Sequence, residues 1–386
     1  MKKKIVVISV VLMALFTACG KTEISVSPTL NTNNPLQSAT DSAVQKAYSK
    51  YFNDLNTVGL SIGLYKNGKT YYYGYGETKK GNGVAPSSNT FFEIGSITKT
   101  YTSIAAMNML LEKGQTIENP IRPYLPNDLP TLAREGIEVN FKHILTHTSG
   151  LSYFPDNFGT GYYTGKLKEE FENYDKNKMF TWLLNVPLRN KPFTTWDYSN
   201  GAMGLLGTIL ELNYSKSYGA ILKEKIFTPL QLNDTKTDMA ETDLNRWATG
   251  YSNGAEVPYW NSLNAMNGAG VIKSTASDMI KYGLANMNPP NTLLGNAITK
   301  SQQITFLPFT AAGRIKINGR LGWFQCIHLD LPNEIFIWHN GGTGGFSSDI
   351  FINKNKNTIL VMLYNTDKGT QARADFQLEL LKIICQ

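Results

Sequence analysis

The sequence predicts an α/β fold in which an antiparallel β-sheet is flanked by N- and C-terminal helices and a mainly helical subdomain is inserted. Three observations support this prediction. Strand-like segments occur near both ends of the 386-residue chain, amphipathic helices flank them, and helices with long loops fill the middle. Hydrophobic residues make up 42% of the chain, which is typical of a folded protein rather than a disordered one.

The first part of the sheet layer is predicted over about 41–92. Asp41-Ser42 is the expected start of a helix, because apolar residues follow it at helical spacing. Residues 60–65 and 70–75 alternate as strands do, and Asn67-Gly68 between them is typical of a two-residue hairpin turn.

The second part of the sheet layer is predicted over about 305–386. Its strands are expected at 321–328, 334–339, 347–352 and 358–364, followed by a helix over 370–385. The helical part is predicted over about 93–304, with helices at 98–113, 169–184, 202–212 and 274–285. Residues 41–386 are therefore expected to form one domain with two parts.

The first 18 residues predict a signal peptide. Lys2, Lys3 and Lys4 precede an uncharged apolar run over 5–18 that is too short to span a bilayer as a helix. We therefore expect the protein to be exported.

Cys19 is a predicted lipidation site. Residues 16–19 (Phe-Thr-Ala-Cys) resemble a bacterial lipobox, in which the cysteine thiol is acylated and becomes the new N-terminus. A signal peptide followed by an incidental cysteine is the alternative. Residues 19–40 are expected to be a lipidated, flexible tether, since 20–40 are rich in Ser, Thr, Asn and Pro. The expected location is the cell envelope, on the periplasmic or outer-surface side of a bacterial membrane.

Charge and composition exclude several kinds of partner. The formal net charge is +7, or +4 without the three N-terminal lysines, and no basic cluster is interleaved with aromatic residues, so nucleic acid is not an expected partner. The four histidines lack metal-ligand spacing, so no metal or other cofactor is expected. Cys326 and Cys385 are predicted to be separate buried thiols, although export would permit a disulfide.

Ser96 and Lys99 form the first candidate catalytic pair. They lie three residues apart at the start of a predicted helix, and so share one face of its first turn. A serine hydroxyl needs a base to become a nucleophile, and a lysine amine can be that base when burial lowers its pKa. Taken alone, the pair is better explained as a helix-capping serine beside an exposed lysine.

Two further polar elements lie downstream. Tyr198 and Asn200 stand in a polar loop immediately before an apolar helix, where a phenol and an amide can enter one cleft. His339 ends an apolar strand, and a glycine-rich turn containing Gly341 and Gly342 follows, in which backbone N–H groups can approach a ligand closely. Taken singly, the first element is also explained as a loop tyrosine with an asparagine that favours the turn, whereas a hairpin turn explains the glycines of the second element but not its histidine.

Together these elements resemble the class C β-lactamase and penicillin-binding-protein superfamily, whose motifs are Ser-x-x-Lys, Tyr-x-Asn and Lys/His-x-Gly. Residues 143–151 (HILTHTSGL) are similar to its Leu-Leu-x-His-x-Ser-Gly-Leu segment, and 226–235, 268–275 and 321–323 also fit. The likeness covers about 42–385. It implies a β-lactamase/transpeptidase-like catalytic domain and a serine hydrolase activity.

The resemblance also implies roles for individual residues. Ser96 would attack a carbonyl and form an acyl-enzyme, with Lys99 and Tyr198 sharing proton transfer. Asn200 would hold the substrate amide and help position Lys99. The backbone N–H groups of Ser96 and Gly342 would form the oxyanion hole.

His339 would face either the substrate carboxylate or the phenol of the catalytic tyrosine, with Gly341 beside it in the Lys/His-x-Gly element. His143 and His147 are expected to support loop packing rather than catalysis. The aromatic residues of 153–163 are expected either to line the cleft or to pack onto the protein's own surface.

The third element bears on the substrate. It reads His-Asn-Gly where class C β-lactamases usually carry Lys-Thr-Gly, and a histidine is mostly neutral at pH 7. The expected substrates are therefore D-amino-acid peptides, which a DD-carboxypeptidase hydrolyses, or esters. The expected partner is accordingly a small molecule, an ester or a peptide derived from peptidoglycan. A class C-type β-lactamase and a weakly catalytic muropeptide-binding protein remain the alternatives.

Overall fold

The computed structural model describes residues 31–159, 167–310 and 314–386, and over 304–310 it describes the backbone alone. The predicted signal peptide, Cys19 and residues 20–30 of the predicted tether lie outside the described residues, as do Tyr162 and Tyr163. None of the helices in the described stretches combines the length and apolar character needed to cross a membrane.

Eight of the strands form one antiparallel sheet that joins the two ends of the chain. In chain order the strands are β1 (Gly59–Lys66), β2 (Lys69–Gly76), β3 (Phe92–Glu93), β4 (Ala133–Arg134), β5 (Ile137–Glu138), β6 (Gly250–Ser252), β7 (Ala255–Val257), β8 (Lys273–Ser274), β9 (Ile304–Thr310), β10 (Ile315–Arg320), β11 (Phe324–His328), β12 (Phe336–Gly342), β13 (Ser347–Asn353) and β14 (Thr358–Tyr364). The order across the sheet is β2-β1-β14-β13-β12-β11-β10-β9. The early hairpin and the late strands therefore meet at the β1–β14 pair, as the fold prediction requires.

The helices lie mainly between these two groups of strands. They are α1 (Ala39–Tyr51), α2 (Thr98–Glu112), α3 (Phe141–Leu145), α4 (Leu167–Glu172), α5 (Lys176–Asn185), α6 (Asn200–Tyr214), α7 (Tyr218–Leu222), α8 (Asn267–Gly270), α9 (Ala276–Met287), α10 (Leu293–Ser301) and α11 (Gln371–Cys385). Residues 98–110 of α2 are all buried, so this helix runs through the core of the molecule.

Opposite faces of the sheet are covered by different helices. Tyr75 of β2 stacks on Tyr48 of α1, with ring centroids 3.9 Å apart, and Tyr48 contacts Phe376 of α11. On the other face a Cβ at Gly63 would lie 2.8 Å from the Ile280 side chain of α9. Because successive residues of a strand point to opposite faces, the sheet lies between the terminal helices and α9. The predicted fold class is confirmed.

The first helix begins earlier than predicted. Ser38 is its cap: Ser38 Oγ accepts from the backbone N–H of Asp41, and the Asp41 carboxylate accepts from the N–H of Ser38. This reciprocal pair satisfies two N–H donors of the first turn, which explains why Asp41 lies inside the helix rather than before it. The N–H of Asn33 donates to the carbonyl of Gly74, so part of the predicted tether lies along β2.

Other boundaries also differ from prediction. The predicted helix over 169–184 is wrong, because it is divided into α4 and α5, with Asp175 capping α5 through the N–H of Lys178. The predicted strand over 334–339 continues as β12 through Gly342, where Gly341 and Gly342 pair with Ser348 and Ser347. Both glycines therefore belong to the end of a strand rather than to the turn.

The hairpin and the cysteines agree with the sequence. Asn67 and Gly68 have φ of +52° and +75°, the left-handed values that a type I′ turn needs at both positions. Cys326 is a buried free thiol and Cys385 is a half-buried one, in agreement with the prediction of two separate thiols.

Candidate active site

Ser96 lies on a single 3₁₀ turn, Gly95–Ile97, that leads directly into α2. Gly95 has a φ of +48°, and a Cβ there would lie 2.6 Å from the backbone nitrogen of Gly342. Only glycine permits this contact between the turn and the end of β12. The turn therefore places Ser96 beside Gly342, with its side chain half-buried at the floor of a cavity.

The Lys99 amine is buried and makes three hydrogen bonds. Its Nζ donates to Ser96 Oγ at 2.9 Å, to Asn200 Oδ1 at 2.8 Å and to the carbonyl oxygen of Ala269 at 2.7 Å. All three acceptors are formally uncharged, and the side chain is fully buried. Burial holds the pKa of Lys99 well below its usual value, because these contacts do not replace the hydration of an ammonium ion.

Tyr198 and Asn200 enter the site from the start of α6. Ser199 caps this helix through the N–H of Ala202, which makes Asn200 its first residue and points its amide at Lys99. The Tyr198 ring lies beneath the Lys99 amine, 4.9 Å from Nζ to the ring centroid. Burial raises the pKa of the Tyr198 phenol, and a hydrogen bond with the Ser96 side chain opposes this rise.

His147 lies behind Tyr198, where the two ring centroids are 4.4 Å apart. Its Nδ1 accepts from the N–H of Ser199, so its proton is on Nε2, which has no hydrogen-bond partner among the described residues. His143 Nδ1 accepts from the N–H of Asn140 at the start of α3. Both histidines support loops, as predicted, but the loop that His147 supports is the one that carries Tyr198.

His339 lies under the cavity rather than in its wall. Its side chain is 1% exposed, its Nδ1 lies 2.6 Å from the carbonyl oxygen of Asn340, and its ring packs on Phe324. Burial lowers the pKa of His339 to about 3, with a smaller contribution from Lys99. This placement does not agree with a direct contact to a substrate carboxylate, which the sequence suggested as one of two roles.

Gly341 and Gly342 differ in their surroundings. A Cβ at Gly341 would lie 2.0 Å from the carbonyl oxygen of Ile94, whereas a Cβ at Gly342 would meet nothing within 4 Å. Gly341 therefore lets β12 lie against the segment that precedes Ser96, and Gly342 borders the cavity.

The cavity has one polar and one apolar side. Ser96, Asn200, Gly342 and Thr343 form the polar side, and the apolar side consists of Tyr153, Phe154, Leu167, Phe171, Trp260 and Leu263. Phe158 stacks on Phe154, with ring centroids 4.7 Å apart, and is itself buried. Of the predicted aromatic loop, Tyr153 and Phe154 thus line the cleft, while Phe158 packs inside the protein.

A buried acid–base pair that sequence reasoning missed supports the serine segment. Glu93 of β3 lies opposite Lys273 of β8, and both side chains are buried. Burial lowers the pKa of Lys273 to about 8, and Glu93 opposes this shift. The available signal was a charged residue within one apolar segment, Glu93 in 91–94, and another directly after a second, Lys273 after 269–272.

This arrangement can carry out acyl transfer. A hydroxyl, a buried amine and a phenol meet at Ser96, and the backbone of Gly342 lies beside them. The structure thus brings together Ser96, Lys99, Tyr198 and Asn200, which the sequence places up to about a hundred residues apart.

Comparisons with known proteins agree with this geometry. The model of the family described as Beta-lactamase matches residues 44–382. A β-lactamase of Yersinia enterocolitica is 24% identical over 361 residues, covering 84% of this chain and 87% of that protein.

Solved structures show the same fold. A β-lactamase/D-alanine carboxypeptidase from Pseudomonas syringae has a TM-score of 0.74 at 21% identity, covering 89% of this chain and 99% of that chain. A β-lactamase/D-alanine carboxypeptidase from Yersinia pestis, complexed with citrate, has a TM-score of 0.74 at 22% identity, covering 89% of this chain and 98% of that chain.

Proposed function

Because the chain belongs to the β-lactamase family, whose members are serine hydrolases, we propose that it forms an acyl-enzyme on Ser96 and hydrolyses D-amino-acid peptides or esters. The observation that carries the proposal is the buried Lys99 amine 2.9 Å from Ser96 Oγ. Burial lowers the pKa of a lysine held in this way, which favours the free amine that can accept a proton.

The hydrogen bonds of Lys99 indicate which group receives the serine proton. A neutral amine has two N–H donors and one lone pair. Asn200 Oδ1 and the carbonyl of Ala269 can only accept, so they take the two N–H groups. The lone pair is then left for the O–H of Ser96, so the hydrogen bond that Nζ donates to Ser96 Oγ as an ammonium reverses its direction in the free amine.

Acylation follows from this geometry. Ser96 Oγ forms a bond to the substrate carbonyl carbon while its proton passes to Lys99 Nζ. The tetrahedral intermediate then expels its alcohol or amine, which receives a proton from Lys99 through the Tyr198 phenol, leaving an ester on Ser96. In the second half-reaction water attacks this ester while its proton passes to Lys99 Nζ. The tetrahedral intermediate then expels Ser96 Oγ, which receives that proton, and the acid is released.

The negative charge on the carbonyl oxygen needs hydrogen-bond donors. We assign this role to the backbone N–H groups of Ser96 and Gly342, and the close approach of Gly95 to the backbone of Gly342 supports this assignment. Donors of this kind contribute about 3 kcal/mol of transition-state stabilisation.

A fluorophosphonate probe tests the nucleophile. We expect one equivalent of probe per chain, with the adduct mapped to Ser96 by mass spectrometry. Ser96→Ala should abolish labelling, while the control Ser49→Ala, on the exposed side of α1, should not. Labelling that persists in Ser96→Ala contradicts the proposal. Absence of labelling in the wild type favours a muropeptide-binding protein instead.

A β-lactamase activity is the second candidate, and the name of the Yersinia enterocolitica relative favours it. Nitrocefin hydrolysis that depends on Ser96 would support it. Hydrolysis of p-nitrophenyl butyrate or of a D-Ala-D-Ala peptide without nitrocefin turnover would favour the first candidate.

We further propose that the protein is exported and lipid-anchored at Cys19 in the cell envelope. The basic residues 2–4, the apolar run over 5–18 and the lipobox-like residues 16–19 support this. Labelling of the full chain with an alkyne fatty acid in a bacterial host should be lost in Cys19→Ser, and the variant should leave the membrane fraction. Equal labelling of Cys19→Ser would contradict the anchor.

A further inference from the structure

We propose that the Ser96 cavity takes neutral esters that carry an apolar acyl group and no carboxylate beside the scissile bond. This inference rests on the proposed acyl-enzyme chemistry and narrows its substrate class. Its basis is the cavity wall, in which every described residue is uncharged and four residues are aromatic.

A substrate carboxylate would need a cation or several donors in this wall. Among the described residues of the site, the basic side chains that could serve are withdrawn from this wall, and one of them, His147, is buried behind Tyr198. Lys99 is fully buried and occupied by its three hydrogen bonds. Lys273 is buried and donates to the carbonyls of Thr237 and Asn261. His339 is buried beneath the floor, and its low pKa leaves it neutral.

Among the described residues, Lys168 is the next basic residue, because it stands on α4 beside Leu167 of the wall. Its Nζ lies 3.6 Å from a carboxylate oxygen of Glu172, one turn along the same helix. Lys168 does not border the cavity. A carboxylate entering the site would therefore lose its hydration without gaining a charge partner in the described wall, which is unfavourable.

The apolar side of the wall fits a hydrophobic acyl group. Phe171 packs against both Phe154 and Trp260, with ring centroids 5.6 Å and 5.2 Å apart. Phe171 and Trp260 are already buried in the protein, so their positions are set by the core before a substrate arrives. An apolar acyl group can pack on these rings at little cost in side-chain ordering.

Two matched comparisons of ester substrates test the inference with the full-length protein. Phenyl phenylacetate and 3-carboxyphenyl phenylacetate share one acyl group and differ in a leaving-group carboxylate. After correction for their hydroxide-catalysed rates, we expect kcat/KM to be at least about tenfold higher for the neutral ester. We also expect kcat/KM to be about tenfold or more higher for phenyl phenylacetate than for phenyl acetate, because the phenyl ring of the acyl group is buried on the aromatic wall. Equal or reversed preference in either comparison overturns the corresponding half of the inference.

Variants of Tyr153 provide the matched control. This residue lines the cavity and its side chain is 42% exposed, so a long side chain fits there. Tyr153→Lys should raise the relative kcat/KM of the carboxylate ester about fivefold, with the gain decreasing at high salt, whereas Tyr153→Met should not. If both variants change the relative kcat/KM of the carboxylate ester equally, the missing positive charge in the wall is not the cause of the discrimination.

Two more variants separate the possible failures. Lys168→Met should leave the discrimination unchanged, and a selective loss of the carboxylate ester in this variant would show that Lys168 binds it and would overturn the inference. If Ser96→Ala retains ester hydrolysis, the proposed function itself fails. If Ser96→Ala is inactive and the carboxylate ester is preferred, only the substrate inference fails.

Discussion

The Lys99 amine and the Asn200 amide oxygen lie 2.8 Å apart, although 101 residues separate them along the chain. Two helix starts produce this contact, since Lys99 follows the Ser96 turn and Asn200 opens α6. The amide is an uncharged partner, so it orients the amine without stabilising its protonated form as a carboxylate would.

Asn200→Asp should therefore slow the enzyme at neutral pH. A carboxylate at this distance raises the pKa of Lys99, and each unit of increase lowers the fraction of free base about tenfold below that pKa. We expect the acid limb of the pH profile of kcat/KM to move to higher pH, with partial recovery of the rate in alkaline buffer. Asn200→Ser removes the amide without adding charge and should lower the rate with little movement of the limb. An unchanged limb in Asn200→Asp would mean that Lys99 is not the group that titrates there.

His147 should matter through its backbone conformation and its ring nitrogen. Its φ is +56°, which asparagine adopts readily and phenylalanine does not, and its Nδ1 accepts from Ser199. We expect His147→Asn to keep most activity. His147→Phe should lower kcat about 10- to 100-fold with a smaller change in KM, because the base and phenol are displaced rather than the acyl pocket.

Steady-state kinetics and thermal unfolding of both His147 variants check this. If His147→Phe changes only thermal stability and leaves kcat intact, His147 is a packing residue and does not position Tyr198. If His147→Asn is as impaired as His147→Phe, the imidazole itself is required.

The two neighbouring glycines of β12 should respond differently to alanine. Gly341→Ala places a methyl group against the carbonyl of Ile94, so β12 must move away from the Ser96 turn. We expect a loss of about 2 kcal/mol in the free energy of unfolding and a large fall in kcat/KM. The methyl group of Gly342→Ala meets no neighbouring atom, so the free energy of unfolding of this variant should lie within about 0.5 kcal/mol of the wild-type value. Equal stability of the two variants, measured by denaturant titration, would show that the close approach of Gly341 is not required.

Local sequence patterns predicted most elements of the fold. Alternation and the Asn67-Gly68 turn located β1 and β2 to within a residue or two, and the strand predicted over 358–364 has the bounds of β14. The predicted helix starts were less accurate, because several neighbouring polar residues can each cap a helix. Ser38 and Asp175 are the caps in the structure. Which residue becomes the cap depends on tertiary contacts, such as the hydrogen bond between the Tyr73 hydroxyl and Asp41. The pairing of β1 with β14 spans most of the chain and has no local signature.

The site shows the same division. Motifs identified Ser96, Lys99, Tyr198 and Asn200, and the structure brings these four together. The burial of His339 could not be foreseen, because it depends on how β11 and β12 pack, which a residue type does not encode. Phe171 and Trp260 could not be assigned to the cavity wall from the sequence for the same reason. Their position there depends on the packing of α4 against the segment before α8.

Asp349 should make the protein less stable as pH rises. It lies on β13, where Trp338 Nε1 donates to its Oδ1 at 3.1 Å, and burial raises its pKa from 3.8 to about 7. The folded state therefore holds this proton more tightly than the unfolded chain does. The resulting stabilisation is complete below about pH 4 and is lost as pH rises through about 7.

Asp349→Asn keeps an oxygen for Trp338 and removes the ionisation. We expect the free energy of unfolding of the wild type to fall between pH 5 and pH 8 relative to that of the variant, so the variant becomes the more stable form at the alkaline end. Urea titrations at pH 5, 6, 7 and 8 measure this difference, with Asp128→Asn, at an exposed site, as the control that should follow the wild type. Parallel curves for the wild type and Asp349→Asn would mean that the Asp349 carboxyl is ionised in the folded protein throughout this range.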